Sequence, residues 1–432
     1  MRPSRYTFPV SNFVIVILVI VSSINFPTLA FAAATKTVSL SEAFQQAAKL
    51  TEPLPIQEQS IRQAEEKISQ VRGSVFPSLT LLGSYQKQDN SDVGGVNAFT
   101  RPDQQSVRLA LVQPLFRGLR EFAEWRSAED QLNAQKQLGE QARLNLFAQV
   151  SEAYYGVLQA EKDLTNLKTL LELTEQRVRE LQGRVKIGRS RRGELLTSQA
   201  QVATLGAQIE SALSQVEQAR ETFTALTALP SDVNFQEGPE ALPAALEPLD
   251  SFVLKVDKRP DIAAQRSLEQ AAEEKIDSAW GAHLPSLDLT GNYYFKRTGI
   301  LENVKWDVSL NLSIPIFQGG VINSQVREAS ELHKQQSLRL SQLRRNAVRE
   351  IRTLHVSLTR SLSQYRALKT ALSTAEQNYK EQHHDYQFGL VTNLDVIQAL
   401  NTFQETKRQL DRLYYDAKQT ECTLLAAVGI IP

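Results

Sequence analysis

Two nine-residue segments, 187–195 and 388–396, combine glycine with charged or capping side chains. They read Ile-Gly-Arg-Ser-Arg-Arg-Gly-Glu-Leu and Phe-Gly-Leu-Val-Thr-Asn-Leu-Asp-Val. A glycine that follows a helical pattern closes the helix in a left-handed conformation at little steric cost. A carboxylate in the first turn of the next helix, here Glu194 or Asp395, interacts favourably with the helix dipole. Both segments therefore predict tight helical turns, in which Gly188 and Gly389 need no role beyond capping.

Other residues that could carry chemistry are poorly arranged for it. His383 and His384 are adjacent, so on a helix their side chains would point about 100° apart and would not easily share a metal ion. The glycine pairs at 94–95 and 319–320 lack the strand, lysine and helix of a phosphate-binding loop. We therefore predict no catalytic residue, no metal site and no cofactor, and the chain is not expected to be an enzyme.

The composition and the first residues indicate an exported protein that does not bind nucleic acid. Lys plus Arg and Asp plus Glu both number 48, so the net charge is zero. Arg2 and Arg5 precede an apolar run at 13–21, and Ala30-Phe31-Ala32 follows it. This order is typical of a cleaved secretory signal peptide, which we place at 1–34, and an uncleaved anchor helix is the alternative.

An exported chain of this composition needs some means of attachment if it is held at a membrane. Its single cysteine, Cys422, allows no intrachain disulfide, and no cysteine stands directly after the expected cleavage site to carry a lipid anchor. No later segment has the ~18 consecutive apolar residues of a transmembrane helix. Any membrane-spanning part is then expected to be a β-barrel, because only helices and closed barrels satisfy their backbone in lipid.

The chain contains two copies of one plan. Segments 64–68 and 77–79 recur at 272–276 and 285–287, at an offset of 208 residues. Segments 114–116 and 187–188 recur at 315–317 and 388–389, at an offset of 201 residues. We therefore predict a first structural repeat at 35–230, a Pro-rich linker at 231–249 and a second structural repeat at 250–432.

Each repeat contains one predicted β-hairpin, at about 75–116 and at about 284–317. In the second hairpin, apolar residues alternate with polar ones on both sides of a short loop: Leu287, Leu289, Tyr293, Val308, Leu310 and Leu312. An alternation of period 2 gives a strand one apolar and one polar face. The first hairpin shows the pattern more loosely, around a longer loop at 89–103 that is rich in Gly, Asn and Asp.

Helices make up most of each repeat. A short helix precedes each hairpin, long helices are predicted at 117–187 and 318–388, and further helices follow the turns at 194–229 and 394–430. Apolar residues recur at spacings of 3 and 4 in both copies, as in a coiled-coil seam. A helix over 117–187 would be ~105 Å long, and the two shorter helices end to end would match it. Each repeat is therefore predicted to be a rod with a hairpin at one end and a tight turn at the other.

Four strands with an apolar face cannot lie in lipid alone, because both sheet edges would stay unpaired. Two copies would give an eight-stranded barrel that its own side chains largely fill, whereas three copies would give twelve strands and a passage. We predict a mainly α fold with a β-barrel portion. Long coiled-coil-like α-helical hairpins would form a tunnel, and four strands per protomer would complete a twelve-stranded trimeric β-barrel. A soluble sheet packed on a core is the alternative from the pattern alone.

The order of these elements, with Pro-Ser-Leu before each hairpin and Pro-Leu/Ile-Phe-x-Gly after it, resembles the TolC-like outer-membrane efflux protein family. The resemblance covers essentially the whole mature chain, in both copies. It implies a homotrimer in the outer membrane of a Gram-negative-type bacterium, extending into the periplasm and in contact with outer-membrane lipid. It also implies docking onto a periplasmic adaptor protein and an inner-membrane transporter of the ABC or RND type, as the passive duct of an efflux or type I secretion system.

The resemblance assigns roles to the two turns. It implies adaptor docking by four residues: Gly188, Arg189, Gly389 and Leu390. It implies constriction of the tunnel entrance by Glu194 and Asp395, which a trimer would present three times each. Like charges held close together repel unless they are bridged, and Arg191 and Arg192 could supply that bridge. The first turn departs from the family in its arginines, and Gln398 stands where the family has a second acidic residue.

A periplasmic coiled-coil adaptor or scaffold protein is the alternative function. Such a protein shares the long helices but would not need two amphipathic hairpins at equivalent positions. An exported hydrolase is disfavoured, because the acidic residues are scattered over helical faces rather than gathered in loops.

Overall fold

The structure is a computed structural model that describes residues 37–88, 103–237, 241–299 and 301–431. The predicted signal peptide at 1–34 and nearly all of the predicted loop at 89–103 lie outside these residues. Within the described ranges, no helix combines the length and the apolar character needed to cross a membrane.

Two similar series of elements make up the described chain. The first comprises β1 (Thr37–Val38), α1 (Leu40–Leu50), α2 (Pro53–Gly73), β2 (Ser78–Lys87), β3 (Asp103–Arg117), α3 (Arg120–Lys186) and α4 (Arg192–Thr227). The second comprises β4 (Asn234–Phe235), α5 (Leu249–Val253), a 3-10 helix (Val256–Lys258), α6 (Pro260–Gly281), β5 (Ser286–Arg297), β6 (Trp306–Ser313), α7 (Val321–Phe388) and α8 (Asn393–Ala427). The fold is mainly helical with four long strands, so the predicted fold class is confirmed for the single chain.

Left-handed residues set several helix boundaries that differ from the predicted ones. Helix α3 begins at Arg120 rather than at 117, because Gly118 and Leu119 have φ angles of 71° and 60°. Helix α7 likewise begins three residues later than predicted, after two left-handed glycines. Helix α4 ends at Thr227 rather than at 229, because Ala228 has a φ of 55°. A left-handed residue cannot continue a right-handed helix, so each of these residues ends or delays the element.

The short helix predicted before the first hairpin is two helices. Ser39 and Glu42 form a capping box at the start of α1, with backbone-to-side-chain distances of 3.1 and 3.3 Å. Thr51 is extended and ends α1. Pro53 then occupies the first position of α2, where its missing N–H costs no hydrogen bond.

The four long strands form one antiparallel sheet in the order β2-β3-β5-β6. The central pair, β3 and β5, joins the two hairpins, with Leu109 opposite Tyr293 and Leu111 opposite Gly291. Strands β2 and β6 lie at the two edges. Large apolar side chains on these edge strands are exposed, among them Leu79, Leu81, Tyr85, Val308, Leu310 and Leu312. The sheet therefore carries an apolar face that the described chain does not cover.

Helix α3 is the centre of the helical part. It packs against α2 and α4 of its own repeat and against α6 and α8 of the second repeat, whereas α7 packs mainly against α6 and α8. Helices α3 and α7 have 67 and 68 residues, yet twenty residues of α3 are buried and only six of α7. Helix α7 therefore exposes far more of its surface than its counterpart.

A close contact between two glycines lies where the sheet meets the helices. A β carbon at Gly118 would lie 2.0 Å from the carbonyl oxygen of Gly281, and one at Gly281 would lie 2.4 Å from the carbonyl oxygen of Gly118. Both distances are far below van der Waals contact, so a side chain at either position would force the backbones apart. These glycines allow the start of α3 to approach the end of α6.

The linker between α4 and α6 lies along α7. The Nε2 atom of His355 is 3.0 Å from the carbonyl oxygen of Glu247, and the guanidinium of Arg366 donates to the carbonyl oxygen of Ala244. Phe252 of α5 is buried beside Ile351 of α7 in one apolar cluster. The linker thus packs onto the second repeat rather than extending freely.

A small clasp holds the start of the described chain near its middle. Strand β1 pairs in parallel with β4, and the buried side chain of Tyr154 on α3 lies beneath both strands. Its hydroxyl is 2.6 Å from the carbonyl oxygen of Gln236 and 2.9 Å from that of Val38, so it can donate its hydrogen to either. Burial raises the pKa of Tyr154 to about 12, and the hydroxyl therefore stays a donor at physiological pH.

We expect the substitution Tyr154→Phe to loosen this clasp. Removing the hydroxyl takes away the donor of the partly buried Gln236 carbonyl oxygen, which costs about 1–3 kcal/mol, whereas the carbonyl oxygen of Val38 still accepts from the N–H of Gln236 at 3.1 Å. Hydrogen exchange measured by mass spectrometry should become faster in peptides that cover β1 and β4. The matched control is Tyr155→Phe, whose ring packs edge-on against Tyr154 at 5.5 Å, and it should leave this exchange unchanged. Equal exchange in wild type and Tyr154→Phe would show that the clasp does not depend on the hydroxyl.

Candidate functional site: the two helical turns

The same backbone motif ends the two long helices. Gly188 and Gly389 have φ angles of 75° and 76°. In each turn the glycine N–H donates to the carbonyl three residues earlier at 3.1 Å, and the next N–H donates to the carbonyl five residues earlier at 2.8 or 3.0 Å. These bonds are those of a Schellman motif. No heavy atom lies within 4 Å of a β-carbon position at either glycine, so the backbone conformation alone requires glycine here.

The second turn carries a complete capping box. The Oδ2 atom of Asp395 accepts from the N–H of Thr392 at 2.8 Å and from its hydroxyl at 2.6 Å, and the Oγ1 atom of Thr392 lies 3.4 Å from the N–H of Asp395. The hydrogen bond from the Thr392 side chain, followed by that from its backbone, lowers the pKa of Asp395 below the ordinary aspartate value. Asp395 therefore caps α8 and remains an exposed negative charge at the turn.

The first turn is built differently. Arg191 occupies the N-cap of α4 and makes no side-chain capping bond. The carboxylate of Glu194 accepts instead from the hydroxyl of Ser190 at 2.7 Å. Arg189, Arg191 and Arg192 are exposed, and in the described part of the chain none of them forms an ion pair within 4.0 Å. Among the described residues of one chain, Arg191 and Arg192 therefore form no ion pair with Glu194 or Asp395, although the N–H of Glu194 donates to the carbonyl oxygen of Arg191 at 3.1 Å.

The sequence interpretation missed a buried polar network just behind the turns. The Nε atom of Arg177 on α3 donates to Oδ1 of Asn393 at 2.8 Å, and its Nη1 donates to Glu180 at 2.9 Å. The guanidiniums of Arg177 and Arg184 lie 3.7 and 4.4 Å from the ring centroid of Tyr386. The side chain of Arg177 is only 6% exposed. This network fastens the start of α8, and hence the second turn, to the long helix of the first repeat.

A cavity of about 70 Å³ lies beside this network, lined by residues that include Arg177, Tyr379 and His383. The ring of His383 lies 6.1 Å from that of Tyr379, whereas the ring of His384 lies 4.8 Å from that of Phe388. The two adjacent histidines thus contact different residues. Across the described ranges, no three His, Cys, Asp or Glu side chains form a group that could hold a metal ion.

A second charged cluster joins the same two helices further from the turns. The carboxylate of Asp163 accepts from Arg408 at 2.7 and 3.0 Å and from Arg412 at 3.0 Å. Burial favours the neutral form of Asp163, but the hydrogen bonds and charges of Arg408 and Arg412 outweigh it and lower the pKa of the carboxyl. Asp163 is therefore ionised at physiological pH and links α3 to α8.

Comparison with known proteins supplies the context for these turns. The family model described as outer membrane efflux protein matches residues 43–229 and 255–430, and so covers both repeats. The chain is 25% identical over 429 residues to outer membrane protein TolC of Escherichia coli strain K12, with 93% of this chain and 84% of TolC covered. It is 22% identical to outer membrane efflux protein BepC of Brucella suis biovar 1, with 90% and 85% covered.

Solved structures show the same fold. The crystal structure of the CmeC outer membrane channel of Campylobacter jejuni superimposes with a TM-score of 0.79 at 19% identity. The match covers 90% of this chain and 85% of that chain. The helical rods, hairpins and turns described above are therefore those of a known channel fold.

We expect Asp163→Asn to destabilise the contact between α3 and α8. The lowered pKa means that Asp163 contributes stability above the pH range in which an unfolded aspartate titrates, and that this contribution is lost as the pH falls through the folded pKa. At pH 7 the substitution should lower the free energy of unfolding by roughly 2–3 kcal/mol, because it removes a charge that three hydrogen bonds satisfy. The difference from wild type should shrink in strong acid. Denaturant titration at several pH values measures both effects.

The matched control is Glu175→Gln, which neutralises an exposed carboxylate of α3 that lies 3.9 Å from Arg179. Exposed pairs of this kind contribute little, so the control should unfold like the wild type. A similar loss in both variants would show that the Asp163 cluster has no special role.

Proposed function

Because this chain belongs to the outer membrane efflux protein family, we propose that it forms the outer-membrane duct of an efflux or type I secretion system. The family consists of channel proteins rather than enzymes. The match extends through both repeats, and the fold is that of an outer membrane channel. Its activity would be passive passage across the outer membrane and the periplasm.

The proposal rests chiefly on the four-stranded sheet, whose two edge strands have no partner within the described chain. Strands β2 and β6 are edges, and the apolar side chains on them are exposed. An open edge is not tolerated in lipid, because its N–H and C=O groups would have no partner. Three copies would supply twelve strands, and closing them into a barrel would pair every edge and turn the apolar face to lipid. A homotrimer is therefore the proposed assembly.

The polar face of the sheet fits a water-filled interior. Asn292 donates to Asp307 at 2.8 Å, and Asn311 donates to Thr290 at 3.1 Å. Such paired polar side chains are expected on the inner wall of a channel. Helix α3, with 67 residues, is about 100 Å long at 1.5 Å per residue. A bundle of such helices would continue the passage through the periplasm.

The turns are the proposed docking site for a periplasmic adaptor protein and, through it, an inner-membrane transporter of the ABC or RND class. Their exposed positions support this assignment: Leu390 is 73% exposed, and Arg189, at the equivalent position of the first turn, is exposed as well. Gly188 and Gly389 fix the backbone that presents these side chains. Phe388 and Leu394 of the same turn are also exposed, at 68% and 64%, and several exposed apolar side chains together are suited to contact a partner.

The same turns are proposed to narrow the entrance of the duct. Glu194 and Asp395 would each occur three times around the axis, and like charges held close repel unless they are bridged. Arg191 and Arg192 are the cations that could bridge them between copies. With this arrangement of charges, the conductance of the resting entrance would change when a carboxylate is removed.

Electron microscopy of the detergent-purified protein tests the proposed function. Helices of about 100 Å and a barrel of roughly 30 Å or more predict a hollow particle about 130–140 Å long with threefold symmetry. The protein should also stay with the outer membrane during salt and alkali extraction. A compact monomer, or a solid rod without a barrel end, would overturn the channel and favour a periplasmic scaffold.

We expect Asp395→Ala to increase single-channel conductance in planar bilayers, because it removes three carboxylates from the entrance. The control Thr392→Val removes the capping hydroxyl but keeps the charge. If the carboxylates constrict the entrance, only Asp395→Ala should conduct more. Equal increases in both variants would assign the effect to the lost cap, and unchanged conductance in Asp395→Ala would contradict the constriction.

A further inference from the structure

A cavity of about 660 Å³ opens between α1, α2 and α3. Its volume lies within the range of small-molecule sites, about 300–1,000 Å³. Buried and half-buried apolar side chains form its floor, namely Phe44, Ala48, Leu54 and Ile61. All of the lining residues lie on these three helices, so a single chain builds the whole cavity.

The second repeat provides a comparison for this cavity, because α6 and α7 pack as α2 and α3 do. The Nε2 atom of Gln57 lies 3.2 Å from Oε1 of Gln135 on α3, and that of Gln265 lies 2.9 Å from Oε1 of Gln336 on α7. The two pairs are related by the sequence offsets of 208 before the hairpin and 201 after it. The offsets therefore identify structurally equivalent residues of the two helix pairs.

Gly139 of α3 leaves room that its counterpart fills. The counterpart is Leu340 of α7, which packs against the apolar cluster that contains Ile262, the counterpart of Leu54. Ile262 is 1% exposed, whereas Leu54 is only half-buried. In the first repeat, the space that a leucine side chain would take is therefore part of the cavity.

Packing within the chain does not require glycine at position 139. A β carbon there would lie 3.4 Å from Cδ1 of Ile61 and 3.6 Å from Cγ of Gln57, which is ordinary van der Waals contact. Glycine in the interior of a helix is also destabilising relative to alanine. Neither the stability of α3 nor its contact with α2 therefore explains why Gly139 is a glycine, whereas an open cavity does.

Exposed charges surround the opening of the cavity. Arg143 extends over the buried ring of Phe44, with its Cζ atom 6.0 Å from the ring centroid. Among the described residues, none of the five charged lining residues forms an ion pair within 4.0 Å. Three of them are cations and two are carboxylates, which gives the rim a net positive charge: Lys49, Lys136, Arg143, Glu58 and Glu140.

We propose that this cavity binds an anionic amphiphile, which is a molecule with an apolar chain or ring and a phosphate, sulfate or carboxylate head group. The apolar part would lie on the floor beside Gly139, and the head group would contact Lys136 and Arg143. These three residues follow one another at spacings of three and four on α3, and so lie on one face of the helix. Apolar walls with a few polar groups that fix orientation are typical of ligand sites.

The unpaired rim charges determine the sign of the head group. A cationic head group would meet more cations than carboxylates, and a neutral one would leave the cations without a partner. An anionic head group is complementary to the net charge of the rim. Because one chain supplies every lining residue, the inference goes beyond the proposed duct and does not depend on it. A wild-type protein that is monomeric would overturn the ring of copies and leave this site in place.

Retention of dodecyl phosphate by the full-length protein tests the proposal. The protein is purified in dodecyl maltoside, so that the added phosphate and the neutral detergent share one alkyl chain and differ only in their head groups. Native mass spectrometry then counts the dodecyl phosphate molecules that remain bound. We expect one per chain, and several-fold less dodecyl phosphocholine at the same mole fraction. Equal retention of the two compounds would overturn the preference for an anion, and retention of neither would overturn the site.

Gly139→Leu introduces the residue type that the second repeat has at this position. The side chain should fill the floor of the cavity, and the fold should persist because leucine favours the helix. Retention of dodecyl phosphate should fall by about tenfold or more, because a ligand that buries two fewer methylenes already binds about tenfold more weakly.

The matched control is Gly156→Leu, which adds the same side chain to α3 at a position where no neighbouring heavy atom lies within 4 Å of the β carbon. It should retain dodecyl phosphate like the wild type. Unchanged retention in Gly139→Leu, or an equal loss in both variants, would overturn the proposed site.

The double variant Lys136→Gln/Arg143→Gln tests the rim separately. Both side chains are exposed, so the chain should fold normally. Loss of two exposed charge contacts should lower the retention of dodecyl phosphate by about tenfold. The control Lys168→Gln/Arg179→Gln removes one lysine and one arginine that are exposed on α3 outside the cavity, and it should have no effect. An equal loss in both double variants would assign retention to the net charge of the chain and overturn the proposal.

Discussion

The contact of α3 with α6 and α8 determines which surfaces of the two repeats are covered within a single chain and which stay exposed. Along it the chain brings together the two hairpins as β3 and β5, the two glycines at 118 and 281, and the charged clusters around Asp163 and Arg177. Each of these features joins the first repeat to the second. The other side of each repeat has a similar series of elements but no such partner among the described residues. The exposed sheet edges and the exposed face of α7 both follow from this single arrangement.

Local sequence patterns predicted the elements well, because strand and helix periodicity depends on near neighbours. The alternation in the second hairpin and the 3–4 spacing of the long helices led to the correct element types. The boundaries were less accurate where residues adopt a left-handed conformation, and two of these residues are not glycines. Leu119 and Ala228 have φ angles of 60° and 55°, and neither residue type signals such a conformation. The parallel pairing of β1 with β4 joins two-residue strands that are far apart in sequence. Strands this short show no periodicity from which the pairing could be predicted.

The turns were predictable in part for a similar reason. Glycine closure and the Thr392–Asp395 capping box involve residues at most a few positions apart, and their spacing is visible in the sequence. Arg177 was missed because its burial depends on Asn393, which is 216 residues away in the chain. A charged residue within a long helix normally indicates a solvated face. Only the packing of α8 on α3 shows that this one is enclosed.

The linker that packs along α7 makes the contact between the two repeats of one chain physically different from a contact between two separate chains. It holds them together, so their contact forms at a high effective concentration and does not depend on dilution. A contact of the same kind between separate chains follows mass action and weakens as the protein is diluted. In a ring of such chains, permanent contacts within each chain would therefore alternate with reversible contacts between neighbouring chains. Its smallest product of dissociation would be a whole chain with both repeats docked, already shaped for reassembly.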